Sequence, residues 1–190
     1  VMVDHLGNVV DGDEILYVIA RDRHRQNIDF GGVVGTSMSN LGLEQALDSL
    51  DIPFARSAVG DRYVMRELLK RGWSLGGESS GHIICLDRTT TGDGIVSALQ
   101  ALSAISDSQS SLAELISKLN KYPQSMVNVR ITDSADIAGS DKVKRAISDV
   151  EAKLGSKGRV LLRPSGTEPV VRVMVEGEDA AEVLTLAQEL

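Results

Sequence analysis

Residues 31–72 read GGVVGTSMSNLGLEQALDSLDIPFARSAVGDRYVMRELLKRG, and the alternation inside this stretch decides the fold. Gly31 to Thr36 is a short apolar run behind a glycine pair, the pattern of a buried strand. After Ser39-Asn40, the residues Leu43, Ala46, Leu47 and Leu50 fall at i, i+3, i+4 and i+7, one face of a helix. Pro53 to Val59 reads as a second strand. Asp61 to Arg71 reads as a second helix, with Asp61 as N-cap, Val64, Met65, Leu68 and Leu69 on one side, and Gly72 as its stop. This order predicts an α/β domain, a parallel or mixed sheet covered by helices, and such sheets gather ligands at the carboxyl ends of their strands.

Upstream, residues 1–10 read as two short extended pieces around a Gly-Asn turn. Asp11 and Glu14 then stand at capping-box spacing ahead of Ile15, Leu16 and Ile19. A strand pair and one helix bury little apolar surface, so residues 1–28 are expected to be the tail of an incomplete upstream α/β domain. Downstream, Trp73 to Glu78 and His82 to Asp87 read as extended segments joined by a glycine-rich turn. Asp93 opens a helix with Ile95, Leu99 and Leu102 as its apolar face, and Ser111 with Glu114 caps another carrying Leu112, Leu115, Ile116 and Leu119. Residues 29–121 are thus expected to form one α/β domain.

Tyr122-Pro123 marks a linker, because a residue before proline is pushed out of the helical region. Residues 122–190 are expected to be a smaller α+β domain. Its order is a strand from Met126 to Ile131, a helix from Asp141 to Leu154, strands Arg159–Leu162 and Val170–Val175, and a helix from Asp179 to Leu190. Two helices on one face of a largely antiparallel sheet is the natural packing.

Net charge is −7 and the chain has one Trp and two Phe, which argues against a nucleic-acid partner. No apolar stretch approaches the roughly 20 residues of a bilayer span. The first residues resemble no signal peptide, so no membrane partner and a cytoplasmic protein are expected. The single cysteine, Cys85, lies in an apolar run and reads as a buried structural thiol. An acidic chain can still hold an anion if positive groups are placed locally.

Two constellations carry chemistry. Gly76-Gly77-Glu78-Ser79-Ser80-Gly81-His82 joins two strands, and its carboxylate, hydroxyls and imidazole suit sugar hydroxyls while its glycines allow close approach. A plain polar hairpin turn accounts for it equally well. Arg163-Pro164-Ser165-Gly166-Thr167-Glu168-Pro169, followed by Arg172, places two guanidinium groups near facing strand ends. A phosphate fits between them, with Ser165, Thr167 and amides near Gly166 completing a nest. The alternative is a proline-bounded hairpin with its arginines in water. Arg62, in the first turn after Gly60-Asp61, is a weaker phosphate contact. Asp11-Gly12-Asp13 and Gly92-Asp93-Gly94 lack the spaced carboxylates of a metal loop, and helix capping explains both.

The motifs Gly77-Glu78-Ser79-Ser80-Gly81-His82 and Arg163-Pro164-Ser165-Gly166-Thr167-Glu168-Pro169, with Arg172-Val173-Met174-Val175-Glu176, closely resemble the sugar-binding and phosphate-binding loops of the α-D-phosphohexomutases. Val33-Val34-Gly35-Thr36, Met38-Ser39-Asn40 and Val59-Gly60-Asp61-Arg62-Tyr63-Val64 resemble that family's third domain. The resemblance implies the end of domain 2, a mixed-sheet α/β/α domain 3, and a smaller α+β domain 4 of the TATA-box-binding-protein-like type. It implies an isomerase, an intramolecular phosphotransferase acting through a phosphoserine and a bisphosphate intermediate. The loop versions favour the branch that interconverts glucosamine 6-phosphate and glucosamine 1-phosphate.

By the same resemblance, Glu78 and Ser80 hold sugar hydroxyls, and His82 is a contact near the reacting oxygen or a proton-transfer helper. Arg163, Ser165, Gly166, Thr167 and Arg172 hold the phosphate that is not reacting. The catalytic serine and the magnesium ligands are expected in domains absent from this chain, so the chain alone is expected to be inactive. Its expected partners are a phosphorylated hexosamine and those missing domains. Phosphomannomutase and phosphoglucomutase chemistry, or a non-catalytic phosphosugar-binding module, are the alternatives.

Overall fold

The computed structural model describes residues 1–130, 140–165 and 169–190, and the polypeptide divides into two units, Val1–Lys121 and Tyr122–Leu190. The first opens with β1 (Met2–Val3) and β2 (Val9–Val10), paired antiparallel. Asp4 shapes the bend by accepting hydrogen bonds from the Leu6 and Asn8 amides. Helix α1 (Gly12–Arg25) follows under a complete capping box, in which Asp11 accepts from the Glu14 amide and Glu14 accepts from the Asp11 amide.

Four strands form the main sheet. They are β3 (Val33–Thr36), β4 (Phe54–Ser57), β5 (Leu75–Gly77) and β6 (Ile83–Cys85), in the order β4-β3-β5-β6. β3 runs parallel to β4 and β5, whereas β5 and β6 are antiparallel, so the sheet is mixed. Connecting and flanking helices are α2 (Leu41–Asp48), α3 (Asp61–Arg71), α4 (Gly94–Ser108) and α5 (Leu112–Ile116).

Strand alternation divides the core into two layers, as a pleated sheet requires. Val33, Leu75, Ile83 and Cys85 join the layer of α1, α2, α4 and α5, while Val34, Ala55 and Ile84 pack with Val64 and Leu68 of α3. This is an α/β/α sandwich. Gly72 ends α3 in the left-handed conformation at φ 70°, as its stop requires.

Two expectations are corrected here. Residues 1–28 are not a tail apart from this unit, because α1 lies within its core: Ile15, Leu16, Tyr17, Val18, Ile19 and Ala20 are all buried there. Residues 15–20 are apolar on every side of the helix and need cover on every side, which α2, α4, α5 and β5 supply. In α4 the face is the reverse of the expected one. Ser97, Ala101 and Ala104 face inward, while Ile95, Leu99 and Leu102 are exposed by 76%, 58% and 51%. Small side chains let α4 lie close on α1, and the Ser97 hydroxyl donates to the Ile83 carbonyl at 3.2 Å.

The second unit has β7 (Gln124–Arg130), α6 (Asp141–Leu154), a 3-10 turn (Gly155–Lys157), β8 (Gly158–Pro164), β9 (Val170–Gly177) and α7 (Ala180–Glu189). Ile131, the expected end of the first strand, lies outside the described residues. The antiparallel order is β7-β9-β8. Val150, Leu154, Val183, Leu186 and Ala187 of the two helices bury Val175, with Val127 and Val160 packed beside it. Both helices therefore cover one sheet face. Among the described residues no helix is long and apolar enough to cross a membrane.

Candidate substrate-binding site

β3, β4 and β5 end together at Thr36, Ser57 and Gly77, so their following loops share one edge of the first unit. The segment after β5 folds back tightly: the Glu78 amide donates to the His82 carbonyl at 3.1 Å, and the Gly81 amide to the Glu78 carbonyl at 2.9 Å. Gly81 stands at φ 98°, a conformation that side chains with a Cβ resist. Glu78 and His82 are half-buried and Ser80 is exposed, so the expected sugar contacts sit on one accessible turn.

The neighbouring loop, after β4, reaches this turn. Glu78 Oε1 accepts from the Gly60 amide at 2.9 Å, and His82 Nδ1 stands 3.8 Å from Asp61 Oδ2. Asp61 is not the N-cap that the sequence pattern predicts. Gly60 occupies that position at φ 123°, and the Asp61 carboxylate instead accepts from the Arg62 amide at 2.7 Å. The Arg62 guanidinium is exposed, lies 4.6 Å from the Tyr63 ring centroid and donates to the Tyr63 hydroxyl at 2.8 Å. The fold thus brings Glu78, Ser80 and His82 together, with Arg62 one residue beyond Asp61.

Gly92 is a part of this site that the sequence pattern conceals. His82 packs so closely on it that a Cβ at position 92 would meet Nε2 at 2.0 Å. The only sequence signal is a glycine before the helix-capping Asp93. After β3, Asn40 caps α2 by accepting from the Gly42 amide. Burial pushes the Cys85 thiol above its ordinary pKa, as befits a structural thiol.

In the second unit, the β8–β9 register pairs Arg163 directly with Arg172 and Pro164 with Val171. Directly opposed residues of an antiparallel pair project from the same face, so both guanidinium stems leave the sheet together. The Ser165 amide donates to the Val170 carbonyl at 2.9 Å and closes the base of the loop. Gly166 and Thr167, the other expected phosphate contacts, lie outside the described residues. Below the arginine pair, fully buried Glu176 accepts from Arg159 at 2.5 Å and Gln124 at 2.9 Å, a polar row that fixes the strand stagger.

Comparison with known proteins gives the family. The family model for phosphoglucomutase/phosphomannomutase, alpha/beta/alpha domain III, matches residues 11–122, and that for the phosphoglucomutase/phosphomannomutase C-terminal domain matches residues 126–190. The chain belongs to the phosphoglucomutase/phosphomannomutase family.

Among phosphoglucomutase/phosphomannomutase relatives, the phosphoglucosamine mutase of Hahella chejuensis is 57% identical over 190 residues, covering 100% of this chain and 43% of that protein. The phosphoglucosamine mutase of Methylococcus capsulatus is 59% identical over 190 residues, again all of this chain and 42% of the relative. The chain therefore spans less than half the length of these relatives and corresponds to their C-terminal part. A solved structure, Aspergillus fumigatus N-acetylphosphoglucosamine mutase in complex with GlcNAc-6P and magnesium, matches with TM-score 0.83. It is 19% identical and covers 99% of this chain and 48% of that one, so it speaks for the fold.

Among the described residues no group of three or more His, Cys, Asp or Glu side chains is placed to hold a metal ion. The first unit thus gathers a carboxylate, a hydroxyl and an imidazole on one accessible turn, and the second sets two arginines opposite each other on neighbouring strands.

Proposed function

We propose that this chain is the substrate-gripping part of a phosphoglucosamine mutase, which interconverts glucosamine 6-phosphate and glucosamine 1-phosphate. The reading is carried by the cross-strand pairing of Arg163 with Arg172, in a chain 57–59% identical throughout to proteins of that name. Glu78 and Ser80 hold sugar hydroxyls, and His82 contacts the reacting end or helps move a proton there. Arg62 is a further phosphate contact. Arg163, Ser165, Gly166, Thr167 and Arg172 grip the phosphate that stays in place.

A fixed phosphate grip and a hydroxyl grip of this kind let a bisphosphate bind in either orientation while the transfer proceeds elsewhere. The phosphoserine and the magnesium ligands belong to the length that the relatives have beyond this chain. The full-length protein is expected to act in the cytoplasm.

The test is conversion by the full-length protein, followed by phosphorus NMR with magnesium and a catalytic amount of glucosamine 1,6-bisphosphate. Glucosamine 6-phosphate is expected to convert fastest, with mannose and glucose phosphates slower and the 190-residue chain alone inactive. Preference for mannose or glucose phosphate would reassign the specificity within the family, and turnover by this chain alone would contradict the division of labour.

A further inference from the structure

The first turn of α1 makes a separate tie through each of its roles, and capping is only one of them. Asp11 Oδ1 accepts from the Asp13 and Glu14 amides, and Glu14 Oε2 accepts from the Asp11 amide. The same two carboxylates face one cation: Lys121 Nζ stands 2.5 Å from Asp11 Oδ2 and 3.6 Å from Glu14 Oε2. Asp13, almost fully buried, accepts from the Asn40 amide at 2.8 Å and so holds the entry of α2.

Gly12 carries the remaining tie, and it leads to the sugar turn. Its amide donates to the Ser79 carbonyl at 2.9 Å. A Cβ there would meet the Glu78 carbonyl oxygen at 2.0 Å, the Gly81 nitrogen at 2.6 Å and the Gly81 Cα at 2.9 Å. Every one of these neighbours is backbone, so the turn sits directly on the helix end and follows it.

We propose that Lys121 and Gly12 are positioning residues of the sugar site: Lys121 clamps the first turn of α1, and Gly12 transmits that placement to the turn bearing Glu78, Ser80 and His82. This rests on the sugar-binding reading of that turn. Lys121 is the last residue of the first unit, so the clamp also fixes the point where the chain leaves it. Without the ammonium group, the carboxylates of Asp11, Glu14 and the buried Asp13 repel one another with less to offset them, the helix-end amides for the first two and the Asn40 amide for Asp13. The first turn then relaxes outward. A displacement of about 1 Å at a binding group can cost on the order of a hundredfold, so a fraction of that is readily measured.

The experiment compares Lys121→Met, Lys121→Arg, Gly12→Ala and the exposed neighbour Lys118→Met in the full-length protein. Each is read by the KM and kcat for glucosamine 6-phosphate and by its calorimetric Kd. Lys121→Met is expected to raise KM and Kd about fivefold with kcat within about twofold, a split that general loss of folded protein does not produce. Lys121→Arg restores binding, Lys118→Met leaves it unchanged, and Gly12→Ala weakens it by about tenfold or more. If Gly12→Ala fails to fold, the three lysine variants decide alone.

Wild-type binding in Lys121→Met overturns the positioning role, as does a fall in kcat alone with KM unmoved. A wild-type protein that neither binds nor converts glucosamine 6-phosphate overturns the functional reading instead, and this inference with it.

Discussion

The carboxylate of Glu78 accepts the Gly60 amide hydrogen at 2.9 Å, and this bond joins the turn after β5 to the loop after β4. One side chain of the turn after β5 therefore also satisfies the helix-entry amide of α3. Glu78→Gln keeps an acceptor and loses the charge, whereas Glu78→Ala leaves the Gly60 amide without its carboxylate. We expect Glu78→Ala to cost about 1–3 kcal/mol of unfolding free energy and Glu78→Gln less than about 1 kcal/mol, measured by urea denaturation. Binding of the sugar phosphate should fall in both, and further in the alanine variant.

Asp13 links stability to pH. Burial, which outweighs the Asn40 amide bond, raises its carboxyl from 3.8 to about 6, and the nearby Asp11 charge adds to the rise. Between those values the folded chain keeps a proton that the unfolded chain has released. The stabilisation is full below 3.8 and is lost as pH rises through about 6. Two pH units correspond to roughly 3 kcal/mol. Asp13→Asn retains an acceptor for the Asn40 amide and should gain on the wild type by up to that amount between pH 4 and pH 7.5. Urea melts at the two pH values check it, and parallel curves would contradict the assignment.

The orientation of α4 yields a direct contrast on this chain. Leu99 points outward and Ala101 inward with 0% exposure. Leu99→Glu should leave unfolding free energy within about 0.5 kcal/mol, while Ala101→Leu should cost about 1–3 kcal/mol through overpacking against α1. Equal effects at the two positions in denaturant melts would place the helix the other way round.

These results also mark what the sequence carried legibly. The arginine pairing was readable because Arg163-Pro164 and Val171-Arg172 stand symmetrically about a short loop, and a hairpin closed between Ser165 and Val170 must oppose them. The capping boxes at Asp11 and Ser111 were readable because both members lie three residues apart in one local motif. The stripe Ile15, Leu16 and Ile19 marks only one face of α1, whereas the unbroken apolar run to Ala20 marks a helix covered on every side there.

Helix α4 presents the opposite case. Its largest side chains suggested the buried face, yet close helix packing selects the smallest, Ser97, Ala101 and Ala104. Gly60 displaced Asp61 as the cap through a long-range partner, Glu78, that local propensity does not contain. The packing of Gly12 and Gly92 against the turn after β5 shows only through the backbone and ring that occupy the space of their missing side chains.

The most direct test of the account is a calorimetric titration of the full-length protein with glucosamine 6-phosphate, comparing wild type with Arg163→Ala and Arg172→Ala. Each charge-assisted grip contributes about 1.5–3 kcal/mol, so each variant should bind on the order of tenfold to a hundredfold more weakly. Affinity equal to wild type in both variants would contradict the phosphate grip on which the assignment stands.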